Sequence, residues 1–148
     1  MKRALLQVRL IQTATALSIA VYAVIGEWKG QKSPHGFSVV YLTLVLAAAC
    51  IVGIGHFVRR RMIDSADRIL SSEPNNGPAL GLWIAAHVMS FAVADLVALF
   101  GLGLRFLGST FFAVLLFYLG GLFLLWVFRP ARSTPVLISP TSSPQSVP

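Results

Sequence analysis

The stretch Ser90-Phe-Ala-Val-Ala-Asp95-Leu-Val-Ala-Leu-Phe100-Gly-Leu-Gly-Leu-Arg105-Phe-Leu-Gly108 carries a single acid, Asp95, inside an otherwise apolar run, with no second charge before Arg105. A run of this length and composition is what crossing a bilayer requires, about 20 mostly apolar residues. A carboxyl group near its centre costs about 2.5–3.5 kcal/mol on insertion scales. Such a group faces protein or a wet cavity rather than lipid tails, and it marks a candidate site.

The rest of the chain agrees with a membrane reading. Of its 148 residues, 56% are hydrophobic and only 11% charged, against roughly 25% charged in ordinary soluble domains. The mean hydropathy is +0.78. Four apolar stretches are predicted to span: residues 4–25, 37–58, 79–106 and 109–128. The expected fold is therefore all-α, an antiparallel bundle of four transmembrane helices over residues 1–130. The first stretch is interrupted by Arg9 and Gln12. It lacks the clean apolar core and small-residue cut site of a secretory leader, so it is read as a retained helix. After Arg129 the chain turns rich in Pro and Ser, and residues 131–148 are expected to form a disordered cytoplasmic tail.

Charge placement supplies a direction. Lys2, Arg3, Arg9, Arg59, Arg60, Arg61, Arg68, Arg129 and Arg132 fall on one side of the predicted topology. Only Lys29, Lys32 and Arg105 fall on the other. Basic residues favour the cytoplasmic face, so both termini are expected in the cytoplasm, with the chain integral to a plasma membrane of the bacterial inner type. Trp28, Trp83 and Trp126 lie near predicted helix ends, where aromatic rings settle at the interface. The formal net charge of +7 sits at the ends of apolar runs. It forms no basic face interleaved with stacking aromatics, so no nucleic-acid partner is expected.

The connections carry their own signals. Pro78 suits the first turn of the third helix. Gly108 fits a left-handed helix end, with Ser109 or Thr110 capping the fourth helix. Arg105 lies about 15 Å along its helix from Asp95. It is expected to reach outward to the headgroups.

Asp95 defines a candidate polar layer. A buried carboxyl favours its neutral form, and hydrocarbon offers it no hydrogen bonds. At similar depth lie Thr15, Ser18, the small run Ala47 to Cys50, and Tyr118 beside Gly120 and Gly121. His87 stands eight residues before Asp95, about 12 Å away along the helix, and Gln12 matches it in depth. Gln12, His87, Asp95 and Tyr118 are therefore the candidate polar or proton-handling residues. Three readings stay open for them: glue between helices, a proton or ion path, and binding of a partner or lipid.

No nucleophile elbow, zinc pair or phosphate loop is present, so no enzyme is expected. Cys50 is the single cysteine and closes no disulfide within the chain. His56 and His87 differ by about two turns in depth, which disfavours a haem between them. No cofactor or metal is expected.

The segment Ala94-Asp95-Leu-Val-Ala-Leu-Phe100-Gly101 resembles the carboxylate helix of ATP synthase c-subunits, where an acid follows a small residue and precedes an aromatic and then a glycine. That resemblance implies a proton-binding role for Asp95. It covers about ten residues closely. The second helix has only Gly53 and Gly55 where the family has a dense glycine repeat, and the fourth helix has no acid. Over its whole length the chain resembles small four-helix membrane proteins of bacteria, which implies the topology but no activity. The expected role is structural or accessory: packing with itself or with a larger membrane complex in the lipid bilayer. The alternative is a proton- or ion-handling module.

Overall fold

The computed structural model describes residues 2–30, 39–73 and 76–129, and these form four helices with no strand. They are α1 (Lys2–Lys29), α2 (Val39–Ser72), α3 (Gly77–Phe106) and α4 (Phe111–Val127). Spans Ala4–Lys29, Val39–Ser72 and Gly77–Phe106 are long and apolar enough to cross a membrane. The predicted tail, 131–148, and most of the first connection lie outside the described residues.

The helix ends follow local chemistry. Asn76 caps α3 by accepting from the Ala79 amide at 3.1 Å, and a proline occupies the first turn, as predicted. At the other end Gly108 adopts φ 85°. The Ser109 amide then reaches the Leu104 carbonyl and the Gly108 amide that of Arg105, a paired closure open to a residue without a Cβ. Thr110 takes the cap position of α4, although its side chain makes no capping bond.

Three element lengths depart from expectation, and the largest departure is α2, which runs on past residue 58 to Ser72 and carries Arg59, Arg60 and Arg61 on its extension. The first helix continues past residue 25 to Lys29, because Gly26, Glu27 and Trp28 extend it rather than beginning a loop. The fourth starts at Phe111, not residue 109, because Ser109 and Thr110 complete the turn. Its 17 residues make a helix about 26 Å long, slightly short of a typical hydrocarbon thickness of about 30 Å.

The helices alternate in direction. Gln12 meets Leu125 and Gly26 approaches Tyr118, so α1 and α4 run antiparallel. Tyr22 meets Asp95 and Glu27 meets Arg105, so α1 and α3 run parallel. Tyr41 packs on Phe117 and His56 on Phe128, so α2 runs with α4.

Helix α3 is the hub and packs against each of the other three. Close approach depends on glycine at two points of the α3–α4 seam. A Cβ on Gly121 would lie 2.9 Å from the Ala94 carbonyl oxygen, and one on Gly101 would lie 2.9 Å from the Phe117 Cβ. Phe91, Ala94, Ala98 and Leu104 of α3 are buried against Ile19, Val114, Phe117 and Leu125.

Among the described residues α1 and α2 do not pack against each other. The consequence appears as periodicity on α3. Gly81, Ala85, Val88, Ala92, Leu96, Leu99, Gly103 and Phe106 are all exposed. Their spacing of three and four residues places them on one helical face. This face floors an open groove between α1 and α2, with α4 on the opposite side of the hub.

Candidate functional site

Asp95 sits on the α1 side of that open face, one turn from both Ala92 and Leu99, and is partly buried. Its Oδ2 accepts a hydrogen bond from the Tyr22 hydroxyl at 3.3 Å. Its Oδ1 is buried and has no hydrogen-bond partner. Tyr22 reaches this depth because helical side chains lean toward the N-terminus of their own helix, which carries a ring from the far end of α1 inward.

Tyr118 of α4 completes the cluster from the third side. It is buried, and its hydroxyl donates to the Tyr22 carbonyl at 3.3 Å. Gly26 provides the room, since a Cβ there would stand 2.9 Å from the Tyr118 hydroxyl. Asp95, Tyr22 and Tyr118 thus join α3, α1 and α4 in one polar seam.

The seam ends at an ion pair. Arg105 is 7% exposed. Its Nη2 donates to Glu27 Oε2 at 3.2 Å and its Nη1 to the Ser109 carbonyl at 3.0 Å. Its Nε lies 2.9 Å from Glu27 Oε1, off the N–H direction, and forms no hydrogen bond. The expectation that Arg105 reaches free to the headgroups is corrected: its side chain is buried and paired within the chain. The continuation of α1 to Lys29 brings a carboxylate within reach, and the guanidinium pairs with it.

The other two candidate residues stand apart from this seam. Gln12 Nε2 donates to the Leu125 carbonyl at 2.9 Å, joining α1 to α4. His87 is buried on α3. Its Nδ1 lies 2.9 Å from the Trp83 carbonyl, and since a carbonyl only accepts, this nitrogen carries the proton. Its ring also packs against Trp83 with centroids 4.2 Å apart. Gln12 and His87 therefore use their polar groups on different partners, and no direct hydrogen bond links either to Asp95. Of the hydroxyls considered at this depth, Thr15 bonds the Ile11 carbonyl of its own helix at 3.0 Å.

Reading the sequence missed Tyr22, Glu27 and the pairing of Arg105. The available signal was directional. A tyrosine near the C-terminal end of a helix leans back toward mid-span, at the depth already assigned to Asp95.

Among the described residues no group of three His, Cys, Asp or Glu side chains could hold a metal ion. The seam offers one carboxyl group, two phenol hydroxyls and an ion pair. That set can hold helices in register or exchange a proton at Asp95. Searches of protein-family models, curated proteins and solved structures gave no match to this chain.

Proposed function

We propose that the chain is a four-span integral membrane protein of the bacterial inner-membrane type, with both termini cytoplasmic. Its role is structural or accessory, and it acts by lateral packing with another membrane helix rather than by catalysis. The observation that carries this reading is the open face of α3. A hub helix that buries its other sides presents Gly81, Ala85, Ala92 and Gly103 along the exposed one. Small residues let membrane helices approach closely, where packing rather than hydrophobicity drives association. The polar groups agree: Gln12, Tyr22, Tyr118 and Arg105 all bond across helix seams inside the chain. Extraction in a mild detergent tests the idea. The wild type should elute in a complex larger than the monomer, and Ala92→Phe, which fills the groove floor, should release the monomer. A wild type that is monomeric in nanodiscs as well as in detergent would contradict it.

A second reading is favoured by one atom. Asp95 Oδ1 is buried without a partner, and a half-bonded carboxyl is a place where a proton can be gained or lost. In this reading Asp95 is the proton-binding group, and Tyr22 orients it. Proton flux into liposomes by the wild type, absent from Asp95→Asn, would support it. Equal flux from the two proteins would reject it.

A further inference from the structure

At the end of the bundle opposite Glu27 and Arg105, His56 and Arg59 stand one helical turn apart on α2 and both meet the ring of Phe128 at the end of α4. The His56 ring stacks on it with centroids 6.3 Å apart. The Arg59 guanidinium carbon lies 5.0 Å from its centroid. Phe128 is buried, so this contact is a fixed seat and not a passing surface encounter. Arg60 and Arg61 follow on α2, and Arg129 follows Phe128. Arg61 is itself laid over Phe57 at 4.8 Å.

Among the described residues none of these cations is held in a salt bridge. Among the described residues the one ion pair is Arg105 with Glu27, at the far end. Asp64 and Asp67 lie one to two turns further along α2, and neither is within ion-pair distance of the cluster. Arg59 is partly buried, and its Nε has no acceptor. An unmet buried donor is destabilising, and the stacking has already ordered the group.

We propose that Arg59, seated on Phe128 and assisted by Arg60 and Arg129, binds the phosphate of an anionic phospholipid at the cytoplasmic end of the α2–α4 seam. The proposal rests on the membrane reading above. The planar guanidinium matches a phosphate's paired oxygens and stacks on an aromatic face at the same time. The height is that of the headgroups, because Arg59 follows directly on the apolar part of α2 and Trp126 lies exposed close by on α4. Exposed Leu42 and Leu46 of α2 and Phe123 and Val127 of α4, which helical periodicity puts on the outer side of this seam, offer apolar surface to the acyl chains. That surface distinguishes a lipid from a soluble phosphate.

Native mass spectrometry of the full chain, released from nanodiscs of mixed phosphatidylglycerol and phosphatidylcholine, tests the assignment. The wild type should retain phosphatidylglycerol preferentially. Arg59→Gln should lower that retention about tenfold, equivalent to about 1.4 kcal/mol, whereas Arg68→Gln, which removes the same charge further along α2, should leave it unchanged. Arg59→Lys keeps the charge without the planar fork and should fall below wild type, which keeps the test informative if the Gln variant does not fold. Equal retention of the two lipids, or equal loss from Arg59→Gln and Arg68→Gln, would overturn the site. Displacement of the lipid by inorganic phosphate would reassign it to a soluble anion. A chain that inserts and shows no lipid preference refutes this site alone, whereas one that does not enter nanodiscs refutes the membrane reading as well.

Discussion

The Tyr22 hydroxyl bonds Asp95 Oδ2 at 3.3 Å, and the Tyr22 carbonyl in turn accepts from Tyr118 at 3.3 Å, so one residue of α1 links the acid of α3 to α4. Interhelical hydrogen bonds of this kind contribute about 0.6 kcal/mol on average and at most about 1.7. Tyr22→Phe should therefore destabilise by about that average in an unfolding titration with denaturing detergent. Asp95→Asn retains a hydrogen-bond acceptor and should cost less than Asp95→Leu when Tyr22 is present. With Tyr22→Phe in place the difference between Asn and Leu should shrink. A difference that persists unchanged would show that Tyr22 does not bond Asp95 in the membrane.

Neighbouring glycines give a sharper contrast. A Cβ on Gly121 would press on the Ala94 carbonyl at 2.9 Å, while one on Gly120 would meet only a Val97 methyl at 3.9 Å. Backbone cannot swing aside as a side chain can. Gly121→Ala should lose about 1–3 kcal/mol, the usual range for overpacking, and Gly120→Ala should be near neutral. Similar melting temperatures for the two variants would contradict the α3–α4 register.

Arg105 and Glu27 should be energetically coupled. The guanidinium is buried and the carboxylate side chain is 46% exposed, so solvent screens the pair in part. A double-mutant cycle with Arg105→Gln and Glu27→Gln should return a coupling of about 1 kcal/mol, between an exposed pair and a sealed one. Strict additivity would show that the pair contributes nothing to holding α1 on α3.

The proposed direction of insertion rests on the nine-to-three distribution of basic residues. With Cys50 replaced by serine, an impermeant thiol reagent applied outside should modify a cysteine at Lys29 and miss cysteines at Arg61 and Ser143. Modification at Arg61 from outside would reverse the topology. Modification at Ser143 alone would change the number of spans.

The helices were legible in the sequence because apolar runs, Pro78 and Gly108 act locally. Asp95 stood out as a candidate because a lone acid in an apolar run has few explanations. Its partner was not, since Tyr22 sits among Ala20, Val21, Ala23 and Val24 and looks like one more packing residue until the direction of its ring is known. Glu27 was read into a loop because it precedes Trp28, Lys29 and Gly30, and hydropathy alone ends a span where charge begins even though the helix continues. The open face of α3 was illegible for a different reason. Its residues are as apolar as the buried ones, so in a membrane sequence periodicity does not separate a side that faces protein from a side that faces lipid or a partner.

The association face is tested most directly by cysteine cross-linking in intact membranes, with Cys50 replaced by serine and single cysteines placed at Ala92, on the groove floor, and at Leu119, exposed on α4 away from the groove. The account predicts that Ala92→Cys cross-links in high yield, either to a second copy or to a distinct membrane protein, and that Leu119→Cys does not. Efficient cross-linking at Leu119 with none at Ala92 would place the contact on the back of the bundle and contradict it.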